Sequence, residues 1–148
     1  MFRLFFGYSN SFHEPGNESV NNEFNAIFIG YDGSNNYISE NIEWQETEVP
    51  FAFPYLGIVI TPGNELTLAS GVVLKFDGGS ILYQGNNLIN WDANGVWFTS
   101  YKDDECGGDT NGDGSSVGTE GDWEGIYNEG EQPGVWEVWD NILYDDIH

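Results

Sequence analysis

Glycine interrupts this chain too often, and at too regular a spacing, for long strands or helices to form. Ile58-Val59-Ile60 is closed by Pro62-Gly63, Leu66-Thr67-Leu68 by Gly71, Val72 to Phe76 by Asp77-Gly78-Gly79, and Ile81-Leu82-Tyr83 by Gly85. Short β-branched and aliphatic runs favour extended backbone. The glycine after each supplies the positive φ of a sharp corner. Hairpin sheets usually show longer strands joined by Asn-Gly or Asp-Gly. Strands this short, with a corner after each, suit a chain that winds and stacks its strands in register. A repeat agrees. Gly71-Val72-Val73-Leu74-Lys75-Phe76 aligns with Gly95-Val96-Trp97-Phe98-Thr99-Ser100, 24 positions on, and Leu66-Thr67-Leu68 has a looser echo in Leu88-Ile89-Asn90. A period in the low twenties is about one coil of a parallel β-helix; a β-sandwich of similar strands is the alternative.

The 148 residues suit one domain, and ten Phe, eight Tyr and six Trp can offset chain entropy. Twenty Gly and five Pro argue for turns and little helix. Asn25 to Tyr31 reads as a strand closed by Asp32-Gly33, Tyr37 to Trp44 alternates weakly, and Pro50 and Pro54 punctuate the stretch before Tyr55. We expect residues 1–36 to form an N-terminal arm or cap and 37–148 a β-helix module. At the C-terminal end, Val135, Val138 and Ile142 stand at helical spacing, but Pro133-Gly134 and the β-branched and aromatic residues favour two strands. The start, MFRLFF, is too short for the apolar core of a signal peptide, so either none exists or it has been removed.

Charge narrows the partners. Three basic residues (Arg3, Lys75, Lys102) against 25 acidic ones give a net −22. Such a chain has no basic footprint for nucleic acid, anionic membranes repel it, and no apolar run approaches a membrane span. Divalent metal is what this surface favours. One cysteine, Cys106, rules out an internal disulfide framework.

Residues 103–122 carry the chemistry. Asp109, Asn111, Asp113 and Gly114, followed by Glu120, match D-x-[DN]-x-[DN]-G-x5-E. Oxygens at positions 1, 3 and 5 of a tight loop converge, glycine at position 6 permits the bend, the carbonyl of Ser115 stands at position 7, and the acid at position 12 closes the shell. Hard oxygen ligands of this kind select Ca2+. The flanks depart from an EF-hand: Val96 to Tyr101 reads as a strand, and Ser116 replaces the usual apolar residue at position 8. The first half of the loop is therefore the firmer part. Asp103, Asp104 and Asp122 are rivals of Glu120 for the remaining ligand positions, and a solvated acidic turn is the plain alternative.

LTLASGVVLKF, GVWFTSYKDDECGGDTNGDGSS and GDWEGI resemble the repeat unit of bacterial right-handed parallel β-helix surface proteins. Leu66 to Phe76, Val96 to Gly114 and Gly121 to Ile126 carry the likeness, with a lead-in from Tyr37 to Gly63. The resemblance implies an all-β, right-handed parallel β-helix, an extracellular or cell-surface location, and a structural or adhesive part in a larger protein. The chain is short for such proteins, which implies a fragment or a small subunit.

No complete catalytic motif accompanies the loop. A lyase acting on uronates needs a base, and the charge would repel its substrate. Asp103-Asp104 resembles a hydrolase pair, but the His and Arg motifs of those enzymes are missing. Cys106 lacks any neighbour that would lower its pKa. We expect no enzyme. Trp91, Trp97, Trp123, Trp136 and Trp139 either stack in the core or offer a platform for a glycan. The leading expectation is a Ca2+-stabilised extracellular β-solenoid module. It would associate with copies of itself or a longer solenoid, building filaments through two open ends; Phe2, Leu4, Phe5 and Phe6 would form the docking arm, and the apolar stretch Trp136, Trp139, Ile142 and Leu143 the other end. A carbohydrate-binding or carbohydrate-degrading module and an acidic DNA-mimic inhibitor are the alternatives.

Overall fold

The described residues of the computed structural model are 26–29 and 36–148. They contain twelve short strands: β1 (Ile27–Phe28), β2 (Asn36–Ile38), β3 (Ile42–Trp44), β4 (Phe51–Phe53), β5 (Ile58–Ile60), β6 (Leu66–Leu68), β7 (Val73–Phe76), β8 (Ser80–Tyr83), β9 (Leu88–Ile89), β10 (Trp97–Ser100), β11 (Gly125–Asn128) and β12 (Val135–Trp136). The strands form three sheets, ordered β1-β4-β7-β10, β12-β11-β8-β5-β2 and β3-β6-β9, and the chain visits them in turn. The protein is all-β with parallel sheets; the β11–β12 pair alone among the named strands is antiparallel. The repeat has a structural meaning. Val73 pairs with Trp97 through to Phe76 with Ser100, and Leu66 with Leu88, the registers the sequence alignment predicts.

β4 was hidden in the sequence by its flanking prolines. Pro50 and Pro54 stand just outside it, where a missing N–H costs no ladder bond, and Phe51, Ala52 and Phe53 are all buried. The expected domain boundary at 36/37 falls within β2, and β1 already pairs with β4. The Phe2–Phe6 arm and the Asp32-Gly33 turn lie outside the described residues.

Like side chains stack on like across the pairs, as parallel in-register strands require. Ile58, Ile81 and Ile126 form one such line, none measurably exposed. Phe53 stacks on Phe76 at 4.8 Å between ring centroids, and Phe76 on Trp123 at 4.6 Å. This aromatic column explains a break in the repeat. Ser100 stands opposite Phe76 in the ladder, too small to continue the stack, and Trp123 fills the place after the chain returns from its long excursion. Trp123 is therefore a core residue, 1% exposed, with Nε1 donating to the Leu143 carbonyl at 2.8 Å.

The C-terminal segment is extended, as expected. After Pro133-Gly134 the chain doubles back as β12 on β11. It then runs along the last strands: Ile142 bridges Phe98, Asp145 bridges Trp123, and Asn141 Nδ2 donates to the carbonyls of Trp91 and Val96. Ile142 is buried and Trp139 packs against the core. These residues pack along the last strands of the first and second sheets, while Val135, Val138 and Ile147 stay exposed. No helix among the described residues is long and apolar enough to cross a membrane.

Candidate metal centre

The excursion between β10 and β11 lies on the outer face of the first sheet. Ala52, Lys75 and Thr99 point outward in register from β4, β7 and β10, yet none of them is measurably exposed. Lys75 Nζ reaches up into the loop and donates to the carbonyls of Asp103 and Gly108, each at 2.6 Å. Thr99 Oγ1 donates to Asp103 Oδ2 at 2.6 Å, and the Asp103 carboxylate also accepts from the Glu105 N–H. Burial pushes the Lys75 pKa down, while the nearby charges of Asp103, Asp104 and Asp109 work against that shift. The loop is thus anchored by a buried cation standing on the sheet.

Above this anchor the loop closes on itself. Asp104 Oδ2 accepts from the Ser116 N–H at 2.6 Å, and Ser116 Oγ donates to the Lys102 carbonyl at 2.7 Å, so the polar residue at position 8 ties the two ends of the loop together. The Asp109 carboxylate accepts from the N–H groups of Gly112 (2.7 Å) and Gly114 (3.1 Å), which wraps the chain around it. Gly114, at φ +89°, takes a bend that an L side chain resists. Asn111 Nδ2 donates to Asp113 Oδ2 at 2.9 Å, and its Oδ1 accepts from the Asp113 N–H.

This folding brings carboxylate oxygens of Asp104, Asp109 and Asp113 within 4.8 Å of one another. Two like charges near that distance repel by about 1 kcal/mol in water and several-fold more where solvent is partly excluded. Asp104 Oδ1 is shielded from solvent and has no hydrogen-bond partner among the described residues. A buried carboxylate oxygen without a donor costs stability, and a bound cation satisfies it. Three hard oxygens and an adjacent carboxamide, Asn111, fit a divalent ion that prefers oxygen ligands.

The other expected ligands stand elsewhere. Asp103 is turned inward to Thr99. Asp122 accepts from Ser100 Oγ at 2.6 Å, from the Thr119 N–H at 2.8 Å and from Lys102 Nζ at 2.7 Å. Burial alone would raise the Asp122 pKa, but these donors hold it below the usual carboxylate range. Glu120 is exposed and lies near enough to Asp145 for its charge to act there, and Ser115 is exposed at the loop tip. The Asp103-Asp104 pair faces two ways, one carboxylate to the sheet and the other to the loop.

Sequence reasoning missed Lys75 as the loop anchor. Its trace was there: a strand position holding one of only three cations, in register with a threonine, in a chain rich in acids. Cys106 is half-buried, and its thiol is pushed up to about 11 by burial and then by the Asp103 charge, with Lys75 opposing. No protein-family model, no curated protein and no solved structure matches this chain.

Proposed function

We propose that the chain is a Ca2+-stabilised module of right-handed parallel β-helix type, serving a structural or adhesive part in an extracellular assembly. The observation that carries this reading is the shielded, partnerless Oδ1 of Asp104, a residue whose carboxylate clusters with those of Asp109 and Asp113 on a loop anchored to a parallel sheet. Asp104, Asp109 and Asp113 would hold the ion, with Asn111 beside them, and the ion would pin the loop by cancelling their repulsion. A part-exposed oxygen site suits the weak affinities of extracellular calcium modules. Parallel pairing in all three sheets favours a solenoid over a sandwich, since sandwiches are built from antiparallel strands. Association with copies of itself would then proceed through the N-terminal coil. There β1, β2 and β3 are outer strands among the described residues.

Calcium titration with thermal unfolding tests this. At a hundred times its dissociation constant, the ion adds about 2.7 kcal/mol, or roughly 5–10 °C in Tm. Asp113→Asn, at an exposed position whose side chain meets Asn111, should retain the fold and weaken calcium binding at least tenfold. A melting curve indifferent to millimolar calcium and to chelator would overturn the proposal.

A further inference from the structure

The outer face of the second sheet differs from that of the first. At one end the C-terminal His148 ring stacks on Trp136 at 3.9 Å and Gly134 packs against Tyr127, and the outward side chains form one apolar row. Tyr37 pairs with Val59, Val59 with Leu82, Leu82 with Tyr127, and Tyr127 with Trp136. Their neighbours in each parallel strand, such as Ile58, Ile60, Ile81 and Ile126, point into the core, so the outward direction is fixed by alternation. Tyr37 is 53% exposed at one end of the row. At the other, Trp136 and Tyr127 line a cleft of about 480 Å³ whose rim holds Tyr55, 77% exposed, with the Glu124 carboxylate and Ser80.

We propose that this row and cleft bind a linear, uncharged oligosaccharide lying across the strands. Adjacent strands stand about 4.8 Å apart, so side chains recur along the row at about the step of one pyranose ring. The exposed rings of Tyr37 and Tyr55 receive the C–H faces of sugar rings, while Glu124 and Ser80 accept or donate hydrogen bonds at the hydroxyl edges. A volume near 480 Å³ falls within the range of small-molecule clefts. Charge and width choose this occupant over others. With a net −22 on the chain and Glu124 in the cleft, a polyuronate is repelled. The apolar row is one side chain wide, too narrow for the roughly 800 Å² per partner of a standard protein interface. The inference does not rest on the metal, since the acidic loop lies over a different sheet.

Affinity electrophoresis through soluble hydroxyethyl-cellulose, galactomannan, xylan and starch, with polygalacturonate as the anionic control, tests it. At least one uncharged polymer should retard the protein, in calcium or in chelator, and polygalacturonate should not. Tyr37→Ala and Tyr55→Ala remove exposed rings, so their melting temperatures should match the parent while affinity falls at least tenfold in the double variant. Loss of calcium response in Asp113→Asn with sugar retardation retained would show the two sites to be separate. Retardation by none of the four uncharged polymers, equal retardation by polygalacturonate, or retardation undiminished in the double variant would overturn the proposal.

Discussion

Replacing Lys75 by methionine isolates what a buried cation contributes to the loop. Methionine keeps most of the aliphatic stem that fills the space beneath Gly107 and removes the ammonium. Two short charged hydrogen bonds are lost, each contributing about 1.5–3 kcal/mol. The Gly108 carbonyl belongs to a half-buried residue and can turn to water, but Asp103 is 1% exposed and its carbonyl would lack a donor. Against these losses stands the relief of no longer burying a charge, the effect that lowers the Lys75 pKa. The balance is an expected destabilisation of about 2–4 kcal/mol, or roughly 5–15 °C in Tm. Urea unfolding with an unchanged m-value measures it. Limited proteolysis locates it, since cleavage should begin between residues 103 and 116 before the sheets open. A Lys75→Met protein as stable as the parent, with the loop equally protected, would show that burial cost cancels the anchoring and would refute the reasoning.

The same geometry leads to two more expected outcomes. Gly57→Ala should cost about 3 kcal/mol or more, because the added Cβ would lie 1.7 Å from the Ser80 carbonyl oxygen in the neighbouring strand; denaturant midpoints check this, and an unchanged midpoint would contradict the close approach of β5 and β8. Cys106, with its pKa near 11, should hold roughly a hundredfold less thiolate at pH 8 than an ordinary cysteine. Its alkylation by iodoacetamide should be slow and still rising at pH 10, and a plateau below pH 9 would count against the buried, acid-flanked setting.

The sequence alone determined the parallel strand pairing. Glycine at the corners and apolar alternation between them are local properties, so the in-register pairings of Val73 with Trp97 and Leu66 with Leu88 could be read from the residues themselves. The lack of helix among the described residues and the extended C-terminal segment were legible for the same reason. The acidic cluster was legible in the first half of its loop, where Asp109 and Asp113 sit within one tight turn with Asn111 and Gly114 and spacing fixes geometry. Beyond one turn, spacing loses that power. Whether Glu120, Asp122, Asp103 or Asp104 joined the group depended on where the long excursion after β10 folded back, and three non-local contacts decided it: Lys75 beneath the loop, Ser116 closing onto Asp104, and Lys102 drawing Asp122 away. Tertiary structure also decided what Trp123 and the C-terminal tryptophans do. A Trp carries the same composition signal in a core, a cap or a binding face, and only stacking on Phe76 or lying outward beside Tyr127 distinguishes them.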